Sequence, residues 1–406
     1  MTAIMQGVRV LEVAEHTFVP AASALLADWG AEVIKIEHVE RGDAMRGLAS
    51  SGIASITGGN VHVLLEHSNR GKQSLALDLT TDDGLDILYQ LAATCDVFLT
   101  NKLPKVRTKL NIDVDDIRAH NPKIIYVRGT GQGERGPDAD LGSYDSLAYW
   151  CRAGVAMAMK QPAEDHVPMP PAPAFGDSIG AMTIAGGIMG ALFHRERTGE
   201  ATTVDVSLLG VGMWSMGAAI ALSLQLDRPW SPLPAGASTG NPLVANYKTK
   251  DGSFLAFSCL QAGRYWAELC GIVDRPDLAT DERFVDAAGL REHAGAATEL
   301  LRAVFAERSV DEWRTFLAPF SGQWVVIQDT IEVSTDVQSI ANGYVVDCET
   351  IDGTPFKLAA APVQYDETPA QPMRAPEFNE HADQILAGIG LDADAIIDLK
   401  VRGVVA

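Results

Sequence analysis

Along the first half of the chain, short apolar runs rich in β-branched residues alternate with longer apolar stretches of helical spacing. The runs 8–13 (VRVLEV), 31–37 (AEVIKIE), 75–79, 96–100 (DVFLT) and 124–128 (IIYVR) predict strands. Segments 20–29, 82–93 and 114–120 predict the helices between them. Gly30 stands where a glycine ends the first helix, and Thr80 and Thr81 offer an N-cap for the second. Strands separated by helices of this length predict right-handed crossovers and a mainly parallel, doubly wound α/β sheet. Two glycine-spaced apolar stretches, 178–193 and 208–226, predict further helices, with a strand over 202–208 between them.

The pattern changes near the middle. Residues 230–242 are rich in Pro, Gly, Ser and Thr and predict a loop. A hairpin follows over 246–250 and 253–259, turning on Asp251-Gly252. Ser309 and Glu312 form a capping box ahead of a helix carrying Trp313 and Phe316. A strand over 324–328, a second Asp-Gly hairpin over 343–350 and 354–360, and helices over 380–387 and 393–401 complete an α+β texture. Gly388 is placed to end the first of these two helices.

The chain has 406 residues, enough for two or three domains at roughly 150 residues each. With 32 basic against 53 acidic residues its formal charge is −21, which argues against nucleic acid and anionic membranes as partners. An anionic small ligand would need local cations or a helix N-terminus. Five scattered cysteines without a C-x-x-C fit a reducing, cytoplasmic setting. The first residues show no basic leader pattern, and the uncharged run 206–226 is broken by glycines, serines and Gln225, as in a buried helix rather than a membrane span.

The histidines show no metal-ligand spacing, so no metal is expected. Gly-Gln-Gly at 131–133 lacks the third glycine of a dinucleotide fingerprint, which removes a nicotinamide cofactor. Gly-Asp-Ser at 176–178 follows a proline-rich approach and opens the helix over 178–193. Asp177 thereby falls at or beside the N-cap, where the helix dipole favours an ionised carboxylate. An Asp there is either a structural cap or a reacting group.

Four segments together resemble the family III CoA-transferases, whose relatives include α-methylacyl-CoA racemase. They are GVRVLEV at 7–13 with ADWGAEVIKIE at 27–37; NRGKQSLALDL at 69–79; FGDSIG at 175–180 with the ALFHRERTGEATTVDVSL run that follows; and RAPEFNEHAD at 374–383. The resemblance implies a Rossmann-like large domain over 1–225, a small α+β domain over 226–330, a segment 331–406 returning to the large domain, and an interlocked homodimer. It implies CoA transfer from an acyl-CoA to a small carboxylic acid, with Asp177 as nucleophile, an aspartyl-CoA thioester as intermediate, and CoA as substrate rather than a permanently bound cofactor. By family position Thr17 and Phe18 lie near the thioester, Asn69, Arg70 and Lys72 by the nucleotide, Asn101 near the pantetheine, and Lys109 where a relative binds phosphate. His38 replaces an arginine frequent in relatives, and Asn101-Lys102-Leu103-Pro104-Lys105 lacks the usual glycine. Tyr144 stands where the racemase branch has a histidine, which favours transfer over racemisation, with His194 as another candidate base. A non-catalytic acyl-CoA-binding subunit is a further alternative, against which the retained Asp177 speaks. Met45, Leu48, Tyr144, Trp150 and Met157 are candidates for an acyl pocket, and Gly236 to Asn241 for a sparse glycine loop.

Overall fold

The computed structural model describes residues 3–48, 61–234 and 236–406. By internal contacts the chain divides into two units, one of Met1–Lys160, His166–Trp230 and Val337–Ala406, the other of Gln161–Asp165 and Ser231–Asp336.

In the first unit the elements run β1 (Arg9–Val13), α1 (Phe18–Asp28), β2 (Glu32–His38), α2 (Ala44–Leu48), α3 (Val63–Asn69), β3 (Gln73–Leu77), α4 (Asp82–Ala92) and β4 (Val97–Thr100). Then come α5 (Pro104–Lys109), α6 (Val114–His120), β5 (Ile125–Thr130), a π-helical segment Ser146–Arg152, α7 (Val155–Met159), α8 (Phe175–Thr198), β6 (Thr203–Ser207), α9 (Leu208–Ser215) and α10 (Gly217–Leu226). Six strands pair in parallel in the order β3-β2-β1-β4-β5-β6. The chain therefore reverses its direction of travel across the sheet between β1 and β4. That point is where open α/β sheets leave a crevice beyond the carboxyl ends of their strands.

The central strands are buried on both faces, which is why they read as nearly continuous apolar runs. Val10, Val33, Leu99 and Val127 pack with α1 and α8 on one face. Leu11, Ile34, Phe98 and Tyr126 pack on the other with α4 and α6, joined by the C-terminal residues Leu386 and Leu399. Ile184, Ala185 and Ile188 make the buried stripe of α8. By length and composition α8 could cross a membrane; here that stripe belongs to the core over the sheet.

In the second unit, β7 (Val244–Lys248), β8 (Phe254–Ser258) and, later, β9 (Trp324–Ile327) form an antiparallel sheet. Between β8 and β9 come α11 (Ala262–Ile272), α12 (Pro276–Thr280), α13 (Ala287–Glu292), α14 (Ala294–Phe305) and α15 (Val310–Leu317). Its core centres on Tyr247, Phe257, Trp266, Phe305 and Trp313. Ser309 and Glu312 form the capping box of α15. After α16 (Glu332–Thr335) and α17 (Val337–Ala341), a hairpin of β10 (Val345–Glu349) and β11 (Pro355–Ala359) leads to α18 (Ala382–Gly388) and α19 (Ala393–Val401). The tail then meets β3: Asp78 N–H donates to the Val404 carbonyl at 2.9 Å, and Ala76 N–H to Asn379 Oδ1 at 2.8 Å.

Three local expectations are corrected. The helix over 208–226 is two helices bent by 67°, because Met216 leaves helical geometry (φ −93°, ψ 8°) ahead of Gly217. The helix at 380–387 runs through Gly388, and the left-handed glycine beyond its end is Gly390 at φ 94°. The Gly-Asp-Ser helix starts earlier, at Phe175, so Asp177 is its third residue rather than its cap.

Candidate active site

The carboxyl ends of β1, β4 and β5 and the first turn of α8 enclose a pocket of about 430 Å³. Glu15 and His16 line it from the loop after β1, Phe18 from the start of α1, Asn101, Lys102 and Leu103 from the loop after β4, and Gly129 and Thr130 from the end of β5 with Gly131 just beyond. Arg41, Val106, Gly142, Ser143, Tyr144, Leu208 and Asp177 complete the wall.

Asp177 is half-buried, and among the described residues its carboxylate has neither an ion pair nor a hydrogen-bond partner. Burial pushes its pKa up to about 7, and the nearby charge of Asp145 pushes the same way. Desolvation and a like charge therefore oppose the ionised form that the helix N-terminus favours. Asp145 is fixed where it acts, since Gly176 N–H donates to its Oδ2 at 3.2 Å. Ala174, just before the helix, takes a left-handed φ of 56°, and Ser178 N–H and Oγ both return to its carbonyl at 2.9 and 3.0 Å. The N–H groups of Gly176 and Ser178 are therefore already engaged. Gly176 is required here because a Cβ would overlap the Tyr149 ring.

Across the pocket, His16 adopts φ 69°, a costly conformation for a residue with a side chain. Its N–H donates to Asp43 Oδ1 at 2.9 Å, and Lys35 holds Asp43 at 2.7 Å. Lys35 also bonds Glu12 at 2.7 Å, and Glu12 bonds Lys72 at 2.8 Å. All four charged side chains are buried. Burial opposes the charge on Asp43, yet Lys35 beside it holds the carboxyl below its ordinary value. For Lys72 burial wins over Glu12, and the amine falls to about 7. This buried chain of charges fixes the strained turn on which His16 sits.

Placement of the other expected residues divides. Phe18, Asn101 and Tyr144 line the pocket with Asp177. The Asn101 amide bridges the Glu15 backbone, accepting its N–H at 3.2 Å and donating to its carbonyl at 2.7 Å. Tyr144 meets His16 edge-on, with centroids 5.4 Å apart. Thr17 is buried at the start of α1, its carbonyl accepting from Ala21 N–H at 2.8 Å. His38 is exposed at the end of β2 and lines an adjoining cavity of about 90 Å³, its Nδ1 accepting the Glu40 N–H at 3.2 Å. Lys109 is exposed at the end of α5 and lines neither cavity.

Asn69, Arg70 and Lys72 are neither exposed cations nor lining residues. Arg70, 2% exposed, grips Asp28 at 2.9 and 2.7 Å and donates to the His67 carbonyl at 2.6 Å. Lys72 donates to Glu12, the Pro20 carbonyl and Asn69 Oδ1 at 2.8 to 3.0 Å. The charges of this motif sit in the interior because each finds a carboxylate there. Met45 and Trp150 are likewise buried in apolar clusters, and the apolar wall beside Asp177 is Phe18, Leu103, Val106 and Leu208. His194 is exposed and 17 residues beyond Asp177 on α8, about 25 Å along the helix at 1.5 Å per residue. His16, Arg41, Lys102 and Asp145 were not singled out by sequence; only the charge at 102 in the Asn-Lys-Leu-Pro turn could have flagged one of them.

Comparison with known proteins gives this pocket its context. The family model "CoA-transferase family III" matches residues 5–382. The chain is 27% identical to (R)-2-hydroxy-4-methylpentanoate CoA-transferase of Clostridioides difficile, covering 99% of each chain. It is 30% identical to succinate–glutarate CoA-transferase of Agrobacterium fabrum, covering 94% of this chain and 95% of that one. Among solved structures, a CAIB/BAIF family protein from Brucella suis superposes with a TM-score of 0.80 at 26% identity, covering 96% of this chain and 100% of that one. An α/β sheet with an unpaired carboxylate in the crevice beyond its strand ends, and a family match along nearly the whole chain, lead to one conclusion: this protein belongs to CoA-transferase family III and is a CoA-transferase.

Proposed function

We propose that the chain moves CoA from an acyl-CoA to a small carboxylic acid through a covalent relay on Asp177. The observation that carries this is the unpaired state of Asp177: of the two carboxylates lining the pocket, Glu15 is held by Lys102 and Arg41, and Asp177 alone is free to react among the described residues. A poorly solvated carboxylate is a better nucleophile than one dressed by water or cations. It attacks the thioester carbonyl, forming a mixed anhydride and expelling CoA thiolate. The thiolate then attacks the aspartyl carbonyl, which yields the aspartyl-CoA thioester and releases the first acid as carboxylate. The acceptor carboxylate attacks that thioester, forming a second anhydride, and the returning thiolate takes the new acyl group and frees Asp177. The pocket wall of Phe18, Leu103, Val106 and Leu208 beside Thr130, Ser143 and Tyr144 offers both apolar and hydroxyl surface, which fits small acids. CoA enters and leaves as a substrate, with no permanently bound cofactor. Incubation with acyl-CoA followed by hydroxylamine or borohydride should leave a modification on the Asp177 peptide by mass spectrometry. Its absence, with turnover intact, would overturn the relay.

We also infer the remaining context. The strand order supports a Rossmann-like reading of the first unit. The five free cysteines fit a cytoplasmic protein. The apolar helix α10 has no buried residue, which fits a face covered in a homodimer. One observation favours a second reading, α-proton exchange on the acyl group: His16 opens on the same pocket as Asp177, and such exchange needs two acid–base groups. Deuterium entry at the α-carbon in heavy water, fast without any acceptor acid and lost in His16→Ala, would favour it over transfer.

A further inference from the structure

The Asp177 carboxylate has no ion pair or hydrogen bond of its own among the described residues, so its place rests on packing and on the backbone to either side. The two flanking residues are held from different directions. Gly176 N–H is held by Asp145. The Ser178 hydroxyl lies 3.0 Å from the Ala174 carbonyl and 3.4 Å from Nε2 of His67 on α3. A serine hydroxyl has one proton to give. The nearer carbonyl takes it, so the imidazole donates from Nε2 and the hydroxyl oxygen accepts. That carbonyl belongs to the residue in the left-handed turn, φ 56°, and Ser178 N–H also reaches it, at 2.9 Å. His67 is anchored in turn: Arg70 donates to its carbonyl at 2.6 Å and is locked onto Asp28, the last residue of α1. Burial, and then the Arg70 charge, push the imidazole down to about 4, so it is a neutral donor at neutral pH.

We propose that His67 is a positioning residue for transfer: through the Ser178 hydroxyl it holds the first turn of α8, and with it the line of the Asp177 carboxylate to the thioester carbonyl. This rests on the reading that Asp177 is the nucleophile. His67 is not among the residues lining the Asp177 pocket, so it acts through Ser178 and not on the substrate. Without the imidazole donor the hydroxyl is free to turn away from the Ala174 carbonyl, and the left-handed turn loses one of its two bonds from Ser178. Attack needs the reacting atoms within about 3–3.5 Å and aligned, so a small displacement is costly. In the relay Asp177 first attacks a carbonyl and then presents its own to the thiolate. Its position therefore enters every step, and the effect falls on kcat rather than on affinity for CoA.

Steady-state transfer by the full-length protein tests this, with a denaturant melt of each variant alongside. His67→Leu should lower kcat by roughly tenfold, the scale of one lost hydrogen bond, and leave the KM for acyl-CoA within about twofold. His67→Gln, whose amide N–H reaches where Nε2 stood, should recover most of the loss, and the shorter His67→Asn should not. Ser178→Ala should cost about as much as His67→Leu, and the two together no more than either alone. Losses that multiply would overturn the proposal, since His67 would then act by another route. A raised KM at unchanged kcat would also overturn it, and would put His67 against CoA. If His67→Leu does not fold, His67→Asn takes its place in the same cycle. If the His67 variants transfer at the wild-type rate while Asp177 is still trapped as its thioester, the positioning role falls and the relay stands. If Asp177 is never trapped in the wild type although turnover is intact, the relay itself falls, and the positioning role with it.

Discussion

At the scale of single residues, one group carries two opposite pH dependences. The Asp177 carboxyl sits at about 7 in the folded chain, above its ordinary value of 3.8. Between those values the folded state holds a proton that the unfolded chain has lost, so this group's contribution to stability falls as pH rises from about 4 to about 7. Catalysis by the ionised form runs the other way and should rise through the same window, with kcat/KM reaching its plateau above pH 7. Asp177→Asn separates the two. It should lower transfer by on the order of 10³ or more, the scale on which loss of a nucleophile acts. It should also raise the thermal midpoint at pH 8 and leave it unchanged at pH 4. A pH–rate profile flat down to pH 5 would contradict the shift. Lys72 offers the contrasting case. Its amine lies in the interior against Glu12 and Asn69, so Lys72→Met should cost about 1–3 kcal/mol of stability by leaving a Glu12 oxygen and the Asn69 carbonyl oxygen without that donor, while Lys35 still pairs Glu12. Denaturant melts should show that loss. A change confined to the KM for CoA, with stability intact, would instead place Lys72 at the ligand.

At the scale of elements, glycines decide how closely the helix bearing Asp177 approaches the sheet. A Cβ on Gly180 would overlap the Phe18 ring, and one on Gly129 would overlap Val19. These contacts set Phe18 as the floor of the pocket. Gly180→Ala should cost about 1–3 kcal/mol in a denaturant melt and lower kcat/KM by tilting that ring. Gly186→Ala, where nothing lies within 4 Å, should be neutral or slightly stabilising. An equal effect of the two would show that helix propensity, not packing, governs α8. The same elements show what periodicity can and cannot reveal. The strands β1 to β5 were legible because burial on both faces writes a nearly continuous apolar run, whereas the half-exposed edge strand β6 was legible from its alternation. The bend at Met216 was not, because α9 and α10 are apolar on either side of it and periodicity does not change. The place of Asp177 at the opening of α8 was legible from its motif, but its ionisation was not, because that depends on burial in the folded chain and then on Asp145, 32 positions away in sequence and brought close by the fold. Arg70 and Lys72 read as cations for a ligand, since nothing local shows that Asp28 and Glu12 wait for them in the interior.

At the scale of the whole molecule, the first unit leaves apolar surface uncovered along α9 and α10. Trp214 is 88% and Leu224 is 79% exposed, and Met213, Leu222 and Leu226 are exposed beside them. An isolated chain rarely displays so many large apolar groups together, and burial of such area is worth roughly 25 cal/mol per Å². The homodimer proposed above would cover this face, and folding would then be linked to association. The thermal midpoint should rise with protein concentration across a hundredfold range, and light scattering at low micromolar concentration should report twice the chain mass. Leu224→Glu, which places a charge on α10 without touching a residue of the pocket, should lower the midpoint and weaken association by at least tenfold, about 1.4 kcal/mol. A monomer whose midpoint ignores concentration and whose stability ignores Leu224→Glu would overturn the dimer, and would require the α9–α10 face to serve a different partner.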